Sequence, residues 1–200
     1  MKILLATGNP HKFAEIMALL PQMTHKGEKL IYVSLKDFPL LQIPPEDGTT
    51  LEENAAIKAV SAAEQTGVLA ISDDTGLEVD ALNGQPGIHT ARYAGEPVST
   101  ENNNRKLLCE LEGLPIEKRT ARFRTVACVA TPDGNIRYFD GKLEGYIGVN
   151  YCGKNGFGYD PIFVLPQTNQ ALAELSADEK NRISHRAKAF EKVAQYLMNL

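Results

Sequence analysis

Two adjacent aspartates, Asp73 and Asp74, follow the apolar run "VLAIS". Like charges side by side repel, and neither belongs in a core. The pair either turns to water through Asx-type hydrogen bonds or faces something cationic. A hard cation such as Mg²⁺ takes oxygen ligands, commonly one or two carboxylates with substrate phosphates and water. A second stretch, "LLATGNPHK", leads from an apolar segment through Thr7, Gly8 and Asn9 into Pro10, His11 and Lys12. A turn that opens a helix can offer backbone N–H groups and a positive dipole end to an anion. Lys12 in the first helical turn runs against the dipole preference and can reach the same anion. The pattern is neither the P-loop nor GxGxxG, and an ordinary strand–helix turn is the plain alternative. If the two strands run parallel, the turn and the aspartates share the carboxyl edge where α/β sheets bind ligands. Acids beside an anion-binding turn then point to Mg²⁺–nucleotide chemistry.

Three further clusters carry chemical potential. "PPEDGTTLEENAAIK" holds Glu46, Asp47, Glu52 and Glu53, then Asn54 and Lys58. Glu52 and Glu53 are explained by a helix dipole; Glu46, in the loop before the helix, is not. Asn54 and Lys58 are four apart and share a helix face, so the lysine serves either a phosphate or solvent. In "NGFGYDP", Phe157 and Tyr159 alternate with glycines before Asp160. Glycine permits close backbone approach, and an aromatic face can stack on a base; a tight loop with packed aromatics is the alternative. In "EKNRISHRAKAF", Lys180, His185 and Arg186 are either a solvated helix face or a donor cluster for an oxygen-rich ligand.

The elements that must position these groups follow from periodicity and turn signals. Strands are expected at residues 2–6, 30–35, 68–72 and 161–166. Two longer β-rich segments, "ARFRTVACVAT" and "NIRYFDGKLEGYI", are joined by a Pro132-Asp133-Gly134 hairpin. Helices are expected at residues 11–20, stopped by Pro21, and at 50–66, with a Thr50/Glu53 capping box and Gly67 after the end. Another spans 99–113, capped by Ser99 or Thr100. A closing helix starts at a Ser176/Glu179 capping box and carries Ile183, Ala187, Phe190, Ala194 and Leu197 at helical spacing. Glycine and proline crowd 76–97, which predicts an irregular region. The order β-α-β-α-β, then antiparallel strands, then a helix, predicts an α/β fold with a mixed central β-sheet.

Two hundred residues can bury roughly 70% of the unfolded surface. A net charge of −4 supplies no overall field for nucleic acid. No apolar run is long enough to span a membrane, and the run ending at Ala6 is too short for a signal-peptide core. Cys109, Cys128 and Cys152 are odd in number and lack a CxxC pair, which predicts neither disulfide framework nor zinc site and a cytoplasmic location.

"TGNPHK", "EENAAIKA", "SDDTGLEVDALNGQPGIHTARYAG", "GFGYDPIF" and "EKNRISHR", in this order, resemble the inosine triphosphate pyrophosphatase family, nearest its bacterial XTP/dITP members. The resemblance runs from Ile3 to about Tyr196. It implies residues 1–200 as one nucleoside triphosphate pyrophosphatase domain, elongated, with two lobes around a deep cleft, and a homodimer. It implies Mg²⁺-dependent cleavage of ITP, dITP or XTP to the monophosphate and pyrophosphate, with no nucleic-acid or membrane partner. It assigns Thr7, Gly8, Asn9, Pro10, His11, Lys12 and Lys58 to the triphosphate, and Thr75 to a substrate contact. Asp74 becomes proton acceptor and metal ligand, with Asp73 and Glu46 as supporting metal or water ligands. Phe157, Gly158, Tyr159 and Asp160 would form the base and ribose pocket; Lys180, His185 and Arg186 would contact the base. A nucleotide sensor without hydrolysis would share the loops but need no acids. A dinucleotide-dependent oxidoreductase lacks its GxGxxG here.

Overall fold

Ile3, Leu4 and Leu5 are all fully buried, as expected for a short apolar strand covered on both faces. They form β1 (Lys2–Leu5) in a computed structural model that describes every residue except Pro21, Met23 and Lys26. Pro21, expected to stop the first helix, therefore lies outside the described residues. After β1 come α1 (Pro10–Leu19), β2 (Thr24–His25), β3 (Glu28–Lys29), β4 (Ile31–Ser34) and α2 (Leu51–Thr66). The chain continues through β5 (Leu69–Val79), β6 (Pro86–Gly87), α3 (Thr100–Glu110), β7 (Thr120–Ala130) and β8 (Ile136–Ile147). It closes with β9 (Phe163–Leu165), β10 (Gln170–Ala171), α4 (Ala177–Ile183) and α5 (His185–Met198).

The main sheet has eight strands in the order β10-β9-β8-β7-β5-β1-β4, with β6 added to β5. β1 is parallel to both β4 and β5, and Ile3 stands opposite Leu69. The β9 pairings with β8 and β10 and the β5–β6 pairing are antiparallel. The expected mixed α/β sheet is therefore the observed one. The hairpin between β7 and β8 closes where Gly134 N–H donates to Thr131 O at 3.0 Å.

Three expectations need correction. β5 does not end at residue 72; it runs on through Asp73 and Asp74 to Val79. Leu77 gains an antiparallel partner in Gly87, so the expected irregular region begins with a strand. The closing helix is two helices, because Ser184 is extended at ψ 158° and α5 restarts at His185. The expected α2 cap is present: Thr50 Oγ1 accepts from Glu53 N–H at 3.1 Å, and the Glu53 carboxylate accepts from the backbone N–H groups of Thr49, at 2.6 Å, and of Thr50. Gly67 does end α2 in the left-handed conformation, φ 66°, as a glycine there should.

The chain divides into two compact units, neither of them a continuous segment. One comprises Met1–Asp74, Thr125–Gly141 and His185–Leu200; the other comprises Thr75–Arg124 and Lys142–Ser184. In the first unit, Leu5 and Ile71 from the strands and Phe190 and Val193 from α5 share a buried core. In the second, Leu77, Leu107, Phe123 and Phe163 do so. Arg119 fastens the second unit. Its guanidinium donates to the carbonyls of Ile147 (2.7 Å), Leu111 (2.9 Å) and Gly148 (2.6 Å).

Candidate active site

In the first unit, the parallel pairing of β1 with β5 ends at Leu5 opposite Ile71. β1 then leaves the sheet at the 7–9 turn, and β5 runs on beside β7 past that edge with Ser72, Asp73 and Asp74, all buried. The aspartates thus sit mid-strand, yet at the carboxyl end of the parallel partner. The two carboxylates have different neighbours. Asp73 Oδ2 accepts from Arg186 Nε and Nη2, both at 3.2 Å, and lies 3.2 Å from Lys12 Nζ. Arg186, in the first turn of α5, also pairs with Glu15 of α1. Asp74 Oδ1 lies 3.8 Å from Lys58 Nζ, a longer ion pair than any at Asp73. Lys58 Nζ is itself held by Glu46 at 2.7 Å and by the Asp73 backbone carbonyl at 2.8 Å.

These surroundings push the two acids apart. Burial raises the Asp73 pKa, but Lys12, Arg186 and Lys58 outweigh it and hold the carboxyl well below its ordinary range. Burial also raises Asp74; Lys58 and Lys12 oppose it only in part, while Glu46 and Asp73 reinforce it, and the net direction is upward. Burial lowers the Lys12 ammonium, with Lys58 and Arg186 adding to the effect and Asp73 opposing it. Neighbouring acids with opposed shifts are the arrangement in which one stays an anion and the other can exchange a proton.

The turn before α1 is built by Asn9, whose Oδ1 accepts from His11 N–H (2.9 Å) and Lys12 N–H (3.2 Å). The helix amides expected to face an anion are therefore already capped. Within the turn, Thr7 Oγ1 accepts from Asn9 N–H at 3.3 Å, Gly8 is exposed, and the Lys12 ammonium turns to Asp73. A Cβ added at Gly8 would meet nothing within 4 Å, so the space beside that peptide is open. Pro10 and His11 are exposed. His185, the first residue of α5, is buried.

The loop before α2 is fixed by Asn54. Its Oδ1 accepts from Gly48 N–H at 2.9 Å, and a Cβ on Gly48 would lie 2.7 Å from that oxygen. This close approach places Glu46 on Lys58. Asn54 and Lys58 do share a face, and it is the buried one.

In the second unit, Thr75 follows in β5, half-buried. Residues 157–160 form a turn closed by Asp160, whose Oδ2 accepts from Phe157 N–H at 2.8 Å and from Lys180 Nζ at 2.6 Å. Lys180 Nζ also lies 4.9 Å from the centre of the half-buried Phe157 ring, a cation–π distance. Tyr159 Oη donates to Thr90 O at 2.9 Å.

Among the described residues no group of three or more His, Cys, Asp or Glu side chains is arranged to hold a metal. A cation here would have to take most of its ligands elsewhere. That suits Mg²⁺, which commonly uses one or two carboxylates and substrate phosphates. Asp74 and Glu46, the two acids on Lys58, fit that donor set. Asp73 Oδ2 is already committed to Arg186 and Lys12.

Arg186, expected at a base, has its guanidinium on the carboxylates of Asp73 and Glu15. Glu15 escaped sequence reading, since an acid within an amphipathic helix reads as solvated. Asn54 was visible only as a face-sharer of Lys58. Asn104 was hidden in the run "NNN", although its place three before Leu107 and seven before Leu111 puts it on the buried stripe of α3.

A mixed α/β sheet with an acid–lysine centre beyond its parallel edge describes a class of ligand-binding α/β proteins. The particular family is the Ham1 family: its profile matches residues 3–196, and the chain belongs to it. The chain is 57% identical over 196 residues, 98% of each protein, to the dITP/XTP pyrophosphatase of Elusimicrobium minutum (strain Pei191). It is 48% identical to that of Desulforamulus reducens over 100% of this chain and 97% of the relative. The solved structure of a HAM1 protein from Coxiella burnetii superposes with a TM-score of 0.89 at 37% identity, covering 100% of both chains. The Staphylococcus aureus Ham1 protein gives 0.86 at 37% identity, covering 100% of this chain and 99% of the other.

Proposed function

We propose that this chain, acting as a single domain, is a Mg²⁺-dependent pyrophosphatase of non-standard purine nucleotides. It hydrolyses dITP, XTP and ITP to the monophosphate and pyrophosphate and so clears them from the nucleotide pool. Membership of the Ham1 family and the names of its full-length relatives support the reaction class. The observation that carries the mechanism is the unequal setting of the two acids: Asp73 Oδ2 is held by Arg186 and Lys12 at 3.2 Å, while Asp74 lies 3.8 Å from Lys58. Among the described residues no helix is long and apolar enough to cross a membrane, and we place the enzyme in the cytoplasm as a homodimer.

Asp74, 3.8 Å from Lys58 and with its pKa raised by burial, accepts the proton of the attacking water. Asp73, held as an anion by Arg186 and Lys12, keeps both cations in place. Lys12, Lys58 and the 7–12 turn neutralise charge on the triphosphate, which phosphoryl chemistry depends on. Mg²⁺, held by Asp74 and Glu46, would supply charge neutralisation at phosphate oxygens. Residues 157–160, with Thr75, Lys180 and His185, take the ribose and base. Hypoxanthine and xanthine carry an acceptor oxygen at C6 where adenine carries a donor amino group. A pocket of donors therefore suits the first two and leaves unpaired groups against the third, which can discriminate by about 10⁴.

The test is product analysis with Mg²⁺ and dITP, XTP, ITP, dGTP or dATP. Monophosphate and pyrophosphate from the first three, with slow turnover of the others, is the expected result. Release of inorganic phosphate alone, or no turnover, overturns the proposal.

A further inference from the structure

α3 buries two consecutive asparagines, Asn103 and Asn104, at 4% and 1% exposure. A buried amide without partners is costly, so each must be bonded to something specific. Asn103 is satisfied on both sides. Its Nδ2 donates to Ala91 O at 2.9 Å, and its Oδ1 accepts from Ala94 N–H at 2.7 Å. Asn104 Nδ2 donates to Gly158 O at 3.1 Å. Its Oδ1 has no hydrogen-bond partner among the described residues. The Gly158 contact is thus the single hydrogen bond of the Asn104 side chain among the described residues.

Gly158 is the residue in the 157–160 turn that most needs such a contact. It lies at φ +64°, and a Cβ there would meet nothing within 4 Å, so packing does not hold it. Its neighbours are fastened otherwise. Asp160 binds Phe157 N–H and Lys180, Tyr159 Oη reaches Thr90 O, and a Cβ on Gly156 would lie 2.0 Å from Asp160 Oδ2. A glycine peptide with space around it can rotate about its flanking bonds with little steric penalty. In a trans peptide the C=O and the following N–H point opposite ways. Holding the Gly158 carbonyl on Asn104 thus turns the Tyr159 N–H away from α3. Rotating that peptide would exchange an N–H for a C=O at the same place.

We propose that Asn104 is a positioning residue that sets purine preference by holding the Gly158–Tyr159 peptide in one orientation. The inference rests on the reading of residues 157–160 as the base pocket. The distinction between 6-oxo and 6-amino purines is one of acceptor against donor. A peptide that can present either edge cannot make it. Asn104 removes that choice without touching the nucleotide.

The experiment compares the wild-type chain, Asn104→Asp, Asn104→Ala and a core truncation on the same helix, Leu107→Ala. The readouts are kcat/KM for dITP and dATP and inhibition by tripolyphosphate. Asn104→Asp keeps the shape but loses the donor. Both Asn104 variants are expected to lower the dITP-to-dATP ratio about tenfold or more, mainly through the KM for dITP. Tripolyphosphate inhibition stays within about twofold, and Leu107→Ala lowers stability without moving the ratio. An unchanged ratio in soluble Asn104 variants, or an equal change from Leu107→Ala, overturns the proposal. If the Asn104 variants do not fold, hydrogen exchange in the wild type decides. Side-chain amide protons of Asn104 that exchange as slowly as core amides support the clamp, and exchange at the rate of a surface asparagine overturns it. A wild type without preference for dITP over dATP instead overturns the base-pocket reading itself.

Discussion

Arg186 Nε and Nη2 both donate to Asp73 Oδ2 at 3.2 Å, joining the start of α5 to the middle of β5. Both groups are almost completely buried, so removing either one strands a charge. Asp73→Asn or Arg186→Ala is expected to cost about 3–5 kcal/mol in urea unfolding. The pH dependence has a definite sign. A carboxyl depressed in the folded state contributes stability above its unfolded pKa of about 3.9 and loses it as pH falls towards the folded value. Wild-type stability should therefore drop in acid below about pH 4, and Asp73→Asn should show a flatter acid limb.

Asp74 has the opposite sign. Its raised pKa means that ionising it opposes folding, and the penalty appears as pH rises through the folded value. Asp74→Asn is expected to abolish turnover and to melt at a higher temperature than wild type at neutral pH. The difference should close in acid, below about pH 4. Near-normal turnover in this variant would remove Asp74 from the role of base.

Mg²⁺ should raise the melting temperature, because a ligand that binds only the folded state stabilises it by about 1.4 kcal/mol at ten times its dissociation constant. The rise should vanish in Asp74→Asn and shrink in Glu46→Gln. A melting temperature indifferent to Mg²⁺ in the wild type would count against a metal on these acids.

Gly141 in β8 allows α5 to lie directly on the strand. A Cβ there would fall 2.1 Å from His185 O and 2.5 Å from Ala189 N. Gly141→Ala must therefore shift the first turn of α5, which carries Arg186. We expect a lower melting temperature together with a loss in kcat, measured on the same preparation. A loss of stability alone would mean that α5 accommodates the methyl group without disturbing Arg186.

Arg119 provides a contrast, because its three carbonyl partners are remote from any proposed chemistry. Arg119→Met should reduce stability by about 3 kcal/mol, since buried acceptors lose charged donors. Turnover of dITP well below the melting temperature should be unchanged.

The β1 strand, the start of β5, the α2 helix and the β7–β8 hairpin were legible in the sequence because local periodicity and turn residues determine them; the parallel pairing of β1 with β5 stood there only as a condition. The extension of β5 was not legible. "DDTG" carries turn residues, and its buried setting in a strand flanked by β7 and, further on, by β6 keeps it extended. The break at Ser184 was equally hidden, since the apolar spacing continues across it. At the site, residue types were readable but pairings were not. Nothing local links Arg186 to Asp73 across 113 residues, and a lysine in a first helical turn shows no sign of which acid it meets. Gly158 stands out in the sequence only as a glycine, while the side chain that holds it lies 54 residues away.

The chain passes from one compact unit to the other within β5, within β7, within β8 and between α4 and α5. Neither unit is thus complete in any early stretch of the chain. The first unit's core includes Ile3 and Leu5 together with Phe190, Val193 and Leu197. During synthesis, part of the core around β1 must wait unfilled until α5 has left the ribosome. Such long-range closure slows folding and lengthens exposure to aggregation. Chaperone demand for this chain should fall chiefly on its first strand, and removing α5 should leave a product that cannot bury it.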